Sequence, residues 1–118
     1  MRIELGRLPD STLGPNARLH HMQLHKAKRM AKDLAMLLVL EQGKPSIPYK
    51  KADISITWVS KDKRRRDPDN LFAAMKAYID GLVAVGLIED DSAMNVTYTL
   101  EYQHGSNDNT IIDVEDMS

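Results

Sequence analysis

Asp67 and Asp69 stand two residues apart, and Pro68 between them holds the preceding residue extended, so both carboxylates can project to the same side of the chain. They lie just ahead of a helical pattern, where Asp69 or Asn70 could equally serve as an N-cap for free backbone N–H groups. A second acidic knot, Glu89-Asp90-Asp91, comes after that pattern has ended, and the chain can then return toward the first. Gathering such carboxylates needs compensation, because two like charges about 4 Å apart at an effective dielectric of 20 repel by roughly 4 kcal/mol. A hard divalent cation supplies it. Mg²⁺ prefers oxygen ligands, keeps several waters and takes further bonds from substrate phosphate, the arrangement that hydrolyses phosphodiesters. The acidic spacing does not match a twelve-residue EF-hand loop, which argues against a dedicated Ca²⁺ site.

Lys76 and Asp80 share a helical face, either as an exposed ion pair or as a working one. Lys76 is the only basic residue after Arg66, and helical side chains lean toward the N-terminus, here the end that bears Asp67 and Asp69. It could stabilise charge on a scissile phosphate, with Asp80 orienting the ammonium. Directly upstream, Lys61, Lys63, Arg64, Arg65 and Arg66 put five cations into six positions. A predicted helix face adds Lys28, Arg29 and Lys32. Such groups contact a nucleic-acid backbone without reading its sequence.

The net charge of −1 conceals this division: residues 1–66 hold 15 Lys and Arg against 6 acidic residues, and residues 67–118 hold 1 against 11. A basic surface for a polyanion beside an acidic locus for a cation is the implied pair. With no cysteine, disulfides, thiolate metal sites, Fe–S clusters and a cysteine nucleophile are excluded. His21 and His25 stand one helical turn apart next to His20, but no third ligand has zinc-site spacing. No Gly-rich phosphate loop or serine elbow is present, so no nucleotide cofactor is expected. Aromatic content of 5% argues against a stacking platform for single strands. No run reaches the roughly 18 apolar residues of a membrane span, and residues 1–10 lack a basic segment followed by an apolar one. A reducing cytoplasm is the expected compartment.

With 118 residues, one domain with one core is expected across residues 1–118. Met1 to Leu5 suits a short strand. Leu19 to Gln42 reads as an amphipathic helix with Ala27, Met30, Ala31, Leu34, Leu37 and Leu38 on its apolar side. Ala52 to Ser60 alternates as a half-buried strand. A second helix is predicted over Leu71 to Val85, with Gly86 to stop it. Asn95 to Gln103 and Thr110 to Glu115 read as strands. The sum is an α+β domain with about four strands in a mixed sheet and two main helices. Gly81, inside the second helix, implies a close helix contact, either within the chain or between two copies.

Arg65-Arg66-Asp67-Pro68-Asp69-Asn70, Lys76 with Asp80, and Asp90-Asp91 ending Gly86-Leu87-Ile88-Glu89-Asp90-Asp91 together resemble the RusA-like Holliday junction resolvases of phages and prophages. Residues 64–92 carry the resemblance. Leu8-Pro9 and Pro15 to His20 are similar to the N-terminal loop of phage members. The resemblance implies a small RusA-like domain and a Mg²⁺-dependent endodeoxyribonuclease, with Mn²⁺ as substitute ion. It would act as a homodimer on four-way DNA junctions in the cytoplasm of a bacterial or phage-infected cell, in recombination and repair. By position, Asp67, Asp69 and Asp91 become the catalytic metal-binding carboxylates with Asp90 close by, Asn70 and Asp80 support them, and Lys76 becomes the catalytic lysine. In the best-known members that lysine falls where this chain has Ala73. Lys76 comes three residues later, with its relation to Asp80 and Asp91 kept, so an extra near-turn is expected at the start of the helix. Lys61, Lys63, Arg64, Arg65, Arg66, Arg29 and Lys32 would contact DNA. Two other readings stay open from the residues themselves: a non-catalytic junction-binding protein with a structural acidic cluster, and a metal-stabilised protein-interaction module.

Overall fold

The computed structural model describes residues 1–15 and 21–118. In chain order the elements are β1 (Arg2–Glu4), α1 (His21–Gln42), β2 (Ala52–Ser60), α2 (Pro68–Ala73), α3 (Lys76–Ala84), β3 (Val96–His104) and β4 (Asn109–Asp116), with a 3₁₀ turn over Ser11–Leu13. The four strands form one mixed sheet in the order β1-β4-β2-β3. β4 runs antiparallel to both β1 and β2, while β3 runs parallel to β2. This is the expected α+β domain, its helical part consisting of α1 and the α2–α3 run. No helix among the described residues is long and apolar enough to cross a membrane.

The alternation in β2 does what its period requires. Ile54, Ile56 and Trp58 are fully buried, and the intervening residues are half-buried on the other face. The core joins these side chains to Ile112 and Val114 of β4, to Ala31, Ala35 and Val39 of α1, and to Met75, Tyr78, Ile79 and Leu82 around α3.

The apolar side of α1 is rotated from the expected one. Met30 and Leu37 are 61% and 52% exposed, while Ala35 and Val39 are buried. The cause is α3, which approaches at Gly81 so closely that the small Ala31 and Ala35, not the larger residues, face it. A Cβ on Gly81 would stand 2.6 Å from the Lys32 carbonyl oxygen and 2.9 Å from the Ala35 Cβ. Gly81 therefore serves packing inside the chain. Replacing Gly by Ala in an open helix gains about 1 kcal/mol, but overpacking here costs about 1–3 kcal/mol. Gly81→Ala is expected to lower stability by about 1 kcal/mol, read as a lower urea midpoint at unchanged slope. A stabilised variant would contradict the close contact.

The second helix is not continuous. It starts at Pro68 and breaks at Ala74 and Met75, so Lys76 opens α3. Gly86, with φ +85°, ends the run as expected. The start of the first helix predicted at Leu19, and the similarity over Asn16 to His20, lie outside the described residues.

β3 and β4 are consecutive in sequence but lie on opposite sides of β2. The connection passes over the end of β2, where the Gly105 amide donates to the Ser60 carbonyl at 2.9 Å and the Lys61 amide to the Asp108 carboxylate at 2.9 Å.

Candidate functional site

α2 begins where β2 and the basic loop have ended. Asp67 takes the N-cap position with extended backbone (φ −94°, ψ 131°), and Pro68 fits the first turn because its missing N–H would have had no partner there. The Asp67 carbonyl accepts from the amides of Asn70 and Leu71, both at 3.1 Å. Its carboxylate makes no capping bond. The nearest cation to it is the exposed Arg65, at 3.4 Å. Asp69 lies in the first turn of α2 and is exposed. Neither carboxylate is consumed by holding the helix, which was the simplest structural role available to them.

Lys76 lies between two other carboxylates. Its Nζ is 2.8 Å from Asp80 Oδ1 and 2.5 Å from Asp91 Oδ2. Bonds to Asp80 and then Asp91 raise the Lys76 pKa above its ordinary value, and the bond from Lys76 lowers that of Asp91. Asp91 is further fixed by its own amide, which donates to Asp90 Oδ1 at 2.9 Å. The expected lean of Lys76 toward Asp67 and Asp69 is not the geometry found. The break at Met75 makes Lys76 the first residue of α3, so its nearest carboxylates are Asp80, four residues on, and Asp91 on the returning chain.

Tyr98 of β3 adjoins both groups. Its ring meets Phe72 of α2 edge-on, with centroids 4.8 Å apart, and burial, followed by the Asp91 charge, raises its phenol pKa. Phe72 thus ties the helix that carries Asp69 to the strand beside Asp91.

Among the described residues, no three carboxylate or imidazole side chains are gathered so as to enclose a metal ion. A closed protein cage is therefore not what these residues make. Mg²⁺ does not require one, since one or two carboxylates with substrate phosphates commonly hold it. Asp67, Asp69, Asp90 and Asp91 offer hard oxygen donors that helix capping leaves free, and this donor chemistry fits an open site of that kind.

The basic residues divide by how firmly they are held. Arg66 is bound: its guanidinium forms a bidentate pair with Asp62 at 2.7 and 3.1 Å and reaches Ser60 Oγ at 3.0 Å and the Tyr102 hydroxyl at 3.1 Å. The pairing drives the Asp62 carboxyl well below the usual carboxylate range. Arg66 fixes the loop to the sheet edge, whereas Lys61, Lys63, Arg64 and Arg65 are exposed. On the other side of α2, Lys28, Arg29 and Lys32 line a cavity of about 570 Å³ together with Lys76 and Asp80. A larger cleft of about 1060 Å³ holds Arg64, Arg65, Asp67 and Asn70. Pro15 and Ala74 line both. The two basic regions thus flank the helix that carries the acidic motif.

Asp62, Phe72 and Tyr98 were not singled out from the sequence. The four-residue spacing of Asp62 and Arg66 is a readable signal, but nothing local announces that Tyr98 meets Phe72. His21 and His25 gain no third ligand among the described residues, and His20 lies outside them. No protein family matches the chain, and no curated protein matches it.

Proposed function

We propose that the chain is a RusA-like, Mg²⁺-dependent endodeoxyribonuclease that resolves four-way DNA junctions by paired symmetric nicking, as a homodimer, in recombination and repair. The observation that supports this most is the Lys76 ammonium set against Asp80 and Asp91, with the uncapped Asp67 and Asp69 on the adjoining helix. One or two of Asp67, Asp69, Asp90 and Asp91 would hold the ion together with substrate phosphate, and the others would lie around it. When bound, Mg²⁺, or Mn²⁺ in its place, polarises the phosphate and activates water. Lys76 offsets charge on the scissile phosphate, and Asp80 keeps its ammonium in place. Asn70 supports the turn. Arg64, Arg65, Lys61 and Lys63 on one side, with Arg29 and Lys32 on the other, position the phosphate backbone. Arg66 contributes by holding the loop.

The second reading, a junction-binding protein without catalysis, is favoured by one feature: Lys76 already pairs with Asp91, one of the candidate metal ligands, as well as with Asp80. The deciding experiment is cleavage of a labelled four-way junction and a matched linear duplex, with Mg²⁺ or EDTA. Paired, symmetric nicks on the junction alone, lost with EDTA, are expected. Intact junction bound by the protein would establish the second reading instead.

A further inference from the structure

The two carboxylates that Lys76 binds are held in different ways. Asp80 lies four residues on in α3, with Oδ1 2.8 Å from Nζ, and Asp91 belongs to the returning chain, with Oδ2 2.5 Å away. The backbone leading to Asp91 is pinned. The Tyr49 amide donates to the Leu87 carbonyl and the Glu89 amide to the Tyr49 carbonyl, both at 2.9 Å, and Leu87 and Ile88 are buried. The Asp91 amide is itself taken by Asp90 Oδ1. Lys76, by contrast, is an exposed, flexible four-carbon stem that ends in a compact charge. When this pair opens, the ammonium is the partner that moves.

Asp67 also has a cation beside it, Arg65 at 3.4 Å, but the Asp67 side chain is 48% exposed and water screens such a contact. The Asp91 side chain is 22% exposed. Its pairing with Lys76 is therefore the stronger obstacle to an arriving ion. A divalent cation on Asp91 repels the ammonium twice as strongly as a second unit charge would at the same separation, and carboxylate oxygen is the donor such an ion prefers. Asp80 gives the ammonium a place to stay, one turn away on the same helix. There, Lys76 and Asp80 line the cavity of about 570 Å³ with Lys28, Arg29 and Lys32.

We propose that Lys76 is the exchangeable counter-ion of Asp91: a divalent cation and the ammonium compete for this carboxylate, and the displaced ammonium stays on Asp80 and is presented to substrate phosphate in the cavity. The proposal rests on the nuclease reading for the ion and the phosphate, and it makes Asp91 one of the carboxylates that the ion takes. It adds that the two binding events help each other. Phosphate that draws Lys76 away from Asp91 raises the affinity for the ion by the same factor as the ion raises that for phosphate. The ion pair thus ties metal loading to DNA binding.

The test is Mn²⁺ binding to the chain alone, followed by the electron paramagnetic resonance of the free ion. Lys76→Met changes an exposed side chain, so circular dichroism should be unaltered, and it is expected to tighten Mn²⁺ about tenfold. Asp91→Asn should weaken binding and cancel that gain in the double variant. Lys28→Met removes a charge that lies in the same cavity but is not paired with Asp91, and it should change the affinity by less than about twofold. In the wild type, the Lys76 ammonium nitrogen resonance, assigned by its loss in K76M, should shift with the midpoint of Mg²⁺ binding. An affinity unchanged or weakened in K76M, a gain that persists with Asp91→Asn, an equal gain from Lys28→Met, or an unmoved Lys76 resonance would each overturn the exchange. Junction cleavage by a chain whose Mn²⁺ affinity ignores Lys76 removes the exchange and keeps the nuclease. Asp91-dependent tightening in a chain that cuts no junction does the reverse, and a chain that binds no Mn²⁺ with or without Lys76 overturns both.

Discussion

If the chain cleaves junctions as proposed, Asp69→Asn is expected to slow cleavage by about a hundred- to a thousandfold, with junction binding kept or strengthened. The expectation rests on what the carboxylate does and does not do in the free protein. Asp69 is exposed, and no hydrogen bond or ion pair engages it among the described residues. The substitution should therefore leave stability within about 0.5 kcal/mol of wild type. What it removes is one anionic oxygen from the donor set, and electrostatic stabilisation by a bound metal is worth several kcal/mol at the transition state. It also removes a negative charge that repels phosphate, so affinity should not fall. Single-turnover cleavage and a gel-shift titration of the same preparation check both halves. A folded variant that cleaves normally, or one that no longer binds, would contradict the assignment.

The largest loss of stability is expected at Trp58. It is the only tryptophan, fully buried in β2, and its indole N–H finds no acceptor among the described residues. Truncation to Ala should cost about 3–5 kcal/mol, a fall in Tm on the order of 10–25 °C for a domain of this size. Trp58→Phe separates the two properties of the side chain. It keeps most of the apolar contact and removes a buried donor whose unpaired state costs about 1–3 kcal/mol, so its net effect should be within about 1 kcal/mol. Urea titrations of the two variants measure the contrast. Equal destabilisation by Phe and Ala would show that the N–H is paired in the native protein.

What could be read from residues alone follows how local the cause is. β2 was legible to its end residues because strict alternation admits only one pleat and one buried face. The first helix was legible as a helix, but its buried side was not. Hydrophobicity favours Met30 and Leu37 as core residues, whereas the close approach at Gly81 selects the small residues one row over. The break at Ala74 and Met75 left no trace, since Leu71, Met75, Tyr78, Ile79 and Leu82 keep three- and four-residue spacing straight across it. The acidic motif was legible from Asp67-Pro68-Asp69, yet the partners of Lys76 depended on that hidden break. Strand order was beyond local reading. It is decided by pairings such as Arg2↔Asp113 and Ile56↔Ile112, between residues far apart in sequence.

That strand order also bears on folding time. β4 separates β1 from β2, so β1, the first of these four strands in chain order, has no neighbour in the sheet until residues 109–116 follow it. The growing chain can form α1 and the β2–α2–α3–β3 segment, but the sheet stays divided while translation continues. Closing loops this long must precede the pairing that rewards it. Folding should therefore be rate-limited by the arrival of β4, as a late event after translation of that segment, and until then the Ile56 and Trp58 row remains open to competing contacts.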